Sequence, residues 1–377
     1  MANKVIPQGI GKRKFSISIS TKLIASFLFI IATGNIIFTS VGIKLIVERI
    51  VSEAQEKVRT DLYSAREIYH GELRHIYDVI RLTADRLIIK ELILNGITQQ
   101  YESEIKKLKT GEKLDILNIT DPFGEVIFRS NNPEFTGDDQ SNDEVIRKVL
   151  TTKEPAMATS IIPVSSLLKE SSELADRAHF IFIDTLMART RVETEETAGM
   201  MLKVAAPVFD AQDEFIGVLY GGVLLNRNYE IVDKIKQTVF LSVEYEGEDI
   251  GTATIFQDDV RISTNVSNLD GSRAIGTRVA SEVYNQVVSK GQPWIGRAFV
   301  VNNWYITAYE PIKNIKGEII GILYVGILEK KYTDIRDRAV LAFLTISLAG
   351  ILLSIAFSIF ISKNISGPVN QLVSVSK

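Results

Sequence analysis

Ala206 to Leu225 reads APVFDAQDEFIGVLYGGVLL, and Glu310 to Glu329 reads EPIKNIKGEIIGILYVGILE, at an offset of 104 residues. Eight of the twenty positions match: Pro207/Pro311, Glu214/Glu318, Ile216/Ile320, Gly217/Gly321, Leu219/Leu323, Tyr220/Tyr324, Gly222/Gly326 and Leu224/Leu328. Each copy is two β-rich runs around a polar turn, Asp210 to Asp213 or Asn314 to Gly317, and so predicts a hairpin. A weaker echo upstream links Gly137 and Glu144-Val145 to Gly276 and Glu282-Val283, again where a hairpin precedes a helix. Self-similarity at a fixed offset predicts one α+β module used twice.

The same grammar extends outward. Leu114 to Thr120 and Glu125 to Ser130 flank Asp-Pro-Phe-Gly, a hairpin. A helix is expected from Asp143 to Leu150, strands around 157 to 162 and 178 to 187, and a helix from Tyr229 to Val239. The second copy has a hairpin around Gln257 to Asp259, a helix from Ser281 to Val288, and a two-residue turn at Asn302-Asn303, since Asn tolerates positive φ. The strands lack clean apolar alternation, as strands covered on both faces do.

Before the modules, Leu45 to Leu94 contains no proline and repeats its apolar residues every eleven positions. Val51, Leu62, Leu73 and Ala84 form one row, Ala54, Ala65, Ile76 and Leu87 a second, and Val47, Val58, Tyr69 and Ile80 a third. Eleven residues over three turns keep a stripe on one bearing, so a long straight helix is expected, stopping at Asn95-Gly96. The stripe fits packing on its own domain or pairing with a second chain.

Charge is segregated. No acidic residue precedes Glu48 or follows Asp337, and residues 48–338 hold 35 basic against 46 acidic residues. Residues 23–43 and 339–362 carry no charge and reach roughly 32 and 36 Å as helices, enough for a hydrocarbon core of about 30 Å. The cluster Lys12, Arg13, Lys14 and Lys22, with Lys363 beyond the second run, places both ends in the cytoplasm. The expected organisation is a basic cytoplasmic terminus (1–22), a first span (23–43), a long extracytoplasmic helix and connector (44–111), a distal module (112–226), a proximal module (227–330), a second span (339–362) and a cytoplasmic tail (363–377).

The acidic middle argues against nucleic-acid binding. Absence of cysteine from the 377 residues excludes disulfides, thiolate zinc sites, iron-sulfur clusters and cysteine nucleophiles. His70 and His75 lie five apart on a helix and cannot share a metal, His179 stands alone, and no G-x-S-x-G or phosphate loop occurs. No catalytic set, metal site or cofactor is expected.

DPFGEVIFRSNNPEFTGDD, GTATIFQDDVRISTNV with DGSRAIGTR, and WYITAYEPIKNIKGEIIGILYVGI together resemble the double-Cache extracytoplasmic sensors of bacterial histidine kinases, chemoreceptors and cyclic-dinucleotide enzymes. ISKNISGPVNQLVSVSK resembles the opening of a HAMP helix, which reads as a truncated receptor or a fragment of one. The resemblance implies tandem PAS-like modules on a long N-terminal helix, a homodimer in the inner membrane, and a small-molecule pocket on one sheet face.

Arg261, Arg273, Arg278 and Arg297, beside Thr264, Asn265, Trp294, Trp304, Tyr305, Thr307 and Tyr309, form the richest polar-aromatic cluster. Arginine forks among aromatic walls suit a small carboxylate. In the distal module, FRSNNPEFTG resembles the strand and loop of citrate and dicarboxylate sensors, which makes Arg129, Ser130 and Lys203 candidates, with Tyr220 on the adjacent repeat. Those sensors commonly carry His where this chain has Asn131 or Asn132. The segment from Arg189 to Thr197 reads as a pocket lid or a solvated loop. The expected function is a receptor for a small anionic molecule; the alternative is a membrane protein that docks a periplasmic partner.

Overall fold

The computed structural model describes residues 19–361 and Asn364. The basic cluster at Lys12 to Lys14 and, apart from Ile361 and Asn364, the HAMP-like stretch lie outside these residues. Two compact units are present, one built from the ends of the chain and one spanning Glu53–Tyr332.

In the first unit, the start of α1 (Ile19–Ala84) and most of α9 (Glu329–Ile361) are long and apolar enough to cross a membrane. Asn35 ties them together. Its Nδ2 donates to the Ser347 carbonyl at 3.1 Å, while its Oδ1 accepts from Thr39 at 3.1 Å and from the Ser347 hydroxyl.

In the second unit, α1 buries Ala54, Val58, Leu62, Ala65, Tyr69, Leu73, Ile76, Ile80 and Ala84. The steps of four, four and three are the eleven-residue stripe. Val51 and Leu87 fall outside it and are exposed, and the helix breaks after Ala84 before resuming as α2 (Leu87–Asn95). Gly96 ends α2 at φ 87°, and a third helix, α3 (Gln99–Gly111), follows, its first turn capped by Thr98.

Next come β1 (Ile116–Thr120), β2 (Val126–Arg129), α4 (Glu144–Thr152), β3 (Ala156–Ile162), α5 (Val164–Glu170), α6 (Ser172–Ala178), the short pair β4 (Phe180–Ile181) and β5 (Glu195–Glu196), β6 (Gly199–Phe209) and β7 (Phe215–Leu224). The proximal half holds α7 (Glu230–Val239), the short pair β8 (Glu244–Tyr245) and β9 (Glu248–Asp249), β10 (Gly251–Gln257), β11 (Val260–Thr264), α8 (Ser281–Tyr284) with a π turn (Asn285–Ser289), β12 (Trp294–Val300), β13 (Asn303–Lys313) and β14 (Ile319–Leu328).

The two five-stranded sheets run β2-β1-β7-β6-β3 and β11-β10-β14-β13-β12, the same order, antiparallel throughout. The quoted repeat occupies equivalent register: Pro207 faces Val218 as Pro311 faces Ile322, and both hairpins carry a bulge near their turn. One face of each sheet joins the α1 stripe in a shared core; the other is covered by α4 to α6 in the distal module and by α8 in the proximal one. Burial on both faces accounts for the missing alternation.

Two expectations are corrected. Residues 178–187 hold only Phe180–Ile181 as strand, because Ser171 caps α6 and the chain before it is helical. The β12–β13 turn is Val301-Asn302 rather than Asn302-Asn303, with Val301 at φ 56°. Phe299 and Trp304, cross-strand partners in that register, meet edge to face at 5.4 Å between ring centres.

Candidate functional site

Strand alternation sorts the proximal candidates onto two faces. Tyr305 and Tyr309 on β13 share a face with Tyr324 on β14 and line the core beneath α8, together with Trp294. Arg261 on β11 enters the same interior: its guanidinium lies 5.1 Å from the Phe256 ring centre and donates from Nη1 to Thr277 Oγ1. The Tyr309 and Tyr324 rings lie 4.7 Å apart between centres, tilted by 40°, and the Tyr324 hydroxyl lies 3.0 Å from Thr252 Oγ1.

Arg261 is 3% exposed and makes no ion pair among the described residues. Its Nε has no partner, nor does Nε1 of Trp294. Two buried donors on one face therefore lack acceptors, and each unmet donor costs about 1–3 kcal/mol. Burial pulls the Arg261 pKa down and pushes the Tyr305 hydroxyl up to about 12, so the tyrosines stay neutral donors at physiological pH. The chemistry offered is a positive fork and hydroxyl donors in an aromatic enclosure. Tyr305 also borders a cleft of about 350 Å³ lined by Thr252, Asn265, Glu248 and Asp249.

The other proximal candidates do not join Arg261. Trp304 and Arg297 lie on the opposite face, stacked at 3.7 Å, with Arg297 Nε donating to Glu329 at 2.7 Å. Arg278 pairs with Asp259 at 2.6 Å, and Arg273 with Asp233 at 2.8 Å. Thr264 sits on the inner face but shares a 2.6 Å hydrogen bond with Thr254. Asn265 accepts from Ala253 N at 2.7 Å and donates to the Val232 carbonyl at 3.2 Å.

The distal candidates do meet, but they are saturated. Arg129 donates twice to Asp138, at 2.6 and 2.9 Å, once to Glu170 at 3.0 Å, and once to the Phe135 carbonyl at 2.7 Å. Lys203 pairs with Asp143 at 2.6 Å and lies 4.9 Å from the Tyr220 ring centre. Ser130 Oγ accepts from Leu117 N at 3.2 Å, while its own N–H reaches Asn118. Arg129, Lys169 and Gln140 hold the Asp138 carboxyl well below the usual range despite its partial burial. Burial raises Glu170 against the pull of Arg129, and its Oε2 has no partner.

Asp138, Glu170, Thr277 and Tyr324 were not candidates by sequence. Asp138 and Thr277 each follow the echoing glycines Gly137 and Gly276, which is the signal that pointed to them.

A distal segment covers the proximal site. Ile183 N–H donates to the Gly276 carbonyl at 2.9 Å, Arg278 N–H to Thr185 Oγ1 at 3.0 Å, and Ser281 N–H to the Met187 carbonyl at 2.7 Å. Arg189 and Arg191 then pair with Asp259, so this part of the expected lid or solvated loop is anchored.

Residues 223–339 match the family model described as single Cache domain 3. No curated protein matches the chain. Among solved structures, the periplasmic domain of Vibrio cholerae LuxQ is similar at 10% identity, covering 73% of this chain and 99% of that one, with a TM-score of 0.44. The sensor domain of the Vibrio cholerae histidine kinase DctB is similar at 12% identity, with 74% and 98% covered and a TM-score of 0.41. The match to the single Cache domain 3 model falls on the module that holds Arg261.

Proposed function

We propose that the chain is a homodimeric inner-membrane receptor whose two modules form a double-Cache region, and that its proximal module senses a small anion, a carboxylate by preference. The observation that carries this reading is Arg261, a buried guanidinium with an unpartnered Nε and no ion-pair partner among the described residues. A carboxylate supplies two acceptors to such a fork and removes the cost of the uncompensated charge. The signal then passes through α9 toward a HAMP segment and an output domain of kinase or chemoreceptor type. A ligand shifts such an equilibrium only by its differential affinity for the two states.

The test is thermal unfolding of the full chain in detergent micelles against acetate, pyruvate, succinate, citrate, amino acids, amines and purines. A compound at 100 times its Kd stabilises by about 2.7 kcal/mol, several degrees of Tm. A carboxylate hit that Arg261→Met abolishes supports the reading; a hit that survives Arg261→Met and vanishes in Arg129→Met moves the site to the distal module.

A second reading, docking of a periplasmic protein, draws support from the apolar side chains of Ile181, Leu186 and Val192, which are 71%, 72% and 94% exposed. Silence across the panel favours it.

A further inference from the structure

The two modules share a return loop. In the distal one, Gly137 N–H donates to the Val126 carbonyl at 2.8 Å and Val126 N–H to the Asp138 carbonyl at 2.9 Å. In the proximal one, Gly276 N–H donates to the Arg261 carbonyl at 3.0 Å and Arg261 N–H to the Thr277 carbonyl at 2.9 Å. Both glycines have positive φ, 84° and 80°. Asp138 and Thr277 are therefore the same position of the same fold element.

An arginine reaches that position in each module, from different places. Arg129 comes from the end of β2 and Arg261 from the start of β11, so no alignment of the repeat superposes them. Arg129 meets a carboxylate there, two-pronged, and Arg261 meets a hydroxyl. The inner faces differ in the same sense. The distal face balances Arg129 and Lys203 with Asp138, Glu170 and Asp143, whereas Arg261 has no acidic neighbour within ion-pair distance among the described residues.

We propose that the return-loop residue decides which module takes an anion: Asp138 occupies, as part of the chain, the place that a free carboxylate takes beside Arg261. The distal module is then a self-neutralised copy of the proximal site, held closed by its own side chain. This rests on the anion reading above, and reciprocal substitution separates the two.

The full chain in detergent micelles is melted with and without sodium acetate, pyruvate or succinate, sodium chloride serving as the ionic-strength control. Thr277→Asp gives Arg261 a counter-charge; its Tm without added anion should rise by several degrees and its response to the carboxylates should vanish. Asp138→Thr strips Arg129 of its main partner; its Tm should fall, and carboxylate should restore part of the loss as a response that wild type lacks at that module.

An undiminished response in Thr277→Asp overturns the proposal, as does an Asp138→Thr variant whose lowered Tm no carboxylate raises beyond the wild-type shift. Should Thr277→Asp fail to fold, Asp138→Thr decides alone. If wild type responds to none of the three, the anion reading of the proximal site fails, and the distal arm still decides: rescue of Asp138→Thr by carboxylate upholds the exchange, and absence of rescue ends it.

Discussion

Arg189 and Asp259 lie 70 positions apart and meet at 2.9 Å, joining the distal segment to the β10–β11 turn of the proximal module. Asp259 is fully buried and also receives Arg191 and Arg278. Three guanidiniums converge on one carboxylate; Arg189 and Arg191 also reach Asp258, at 2.7 and 3.3 Å, so removing the Asp259 charge leaves Arg278, which is mostly buried, without its acidic partner. Asp259→Asn should destabilise by about 3 kcal/mol or more. Denaturant titration of the full chain checks this, and a loss below about 1 kcal/mol would mean that the segment contributes little to closure.

Arg261→Met should behave in the opposite way from most buried substitutions. A charge without a partner is replaced by a side chain of similar length, and the exchange should leave Tm unchanged or raise it in the absence of anion. A fall of more than a few degrees would show that the Thr277 hydrogen bond matters more than the unmet Nε.

Acid should weaken the distal module through Asp138. Its carboxyl is held below its unfolded value of about 3.9, so its contribution is present in full above that pH and is lost progressively as pH falls from there through the lower folded value. Glu170 opposes this: burial raises it, so its contribution is greatest when protonated and is lost as pH rises through the folded value. Melting curves of wild type and Asp138→Asn from about pH 5 to pH 2 test the sign. The variant should show the smaller acid loss.

Gly217 and Gly321 occupy equivalent places beside a neighbouring strand, where an added Cβ would meet the Thr120 carbonyl oxygen at 2.3 Å and that of Phe256 at 2.2 Å. Neither backbone can yield without breaking the sheet. Gly217→Ala and Gly321→Ala should each cost about 2 kcal/mol or more, read as the denaturation midpoint. A near-neutral alanine would mean that the sheet there is looser than its register implies.

Much of the frame was legible in the sequence because it depends on periods. The eleven-residue spacing from Ala54 to Ala84 becomes the buried stripe, and the 104-residue offset becomes two hairpins in one register. Adjacent positions could also have been sorted by period two: Trp304 and Tyr305 cannot face one interior. The closure of the distal site was not legible. It depends on where α5 delivers Glu170 and where the return loop delivers Asp138, which are long-range placements without a periodic signature. Pro163 before α5 and Ser171 capping α6 were local helix-start signals in a stretch where no element was expected from the sequence.

β14 sits in the middle of its sheet, paired with β10 and β13, and Leu328 at its end is followed directly by Glu329, the first residue of α9. Sliding one residue past its neighbours would turn Tyr324 toward the α1 side and Leu323 toward Arg261, reversing every side chain of the strand. A one-residue slip of β14 is therefore barred. Glu329 is held in a fixed phase relative to the sheet, because only a slip by an even number of residues would return each side chain of β14 to its own face.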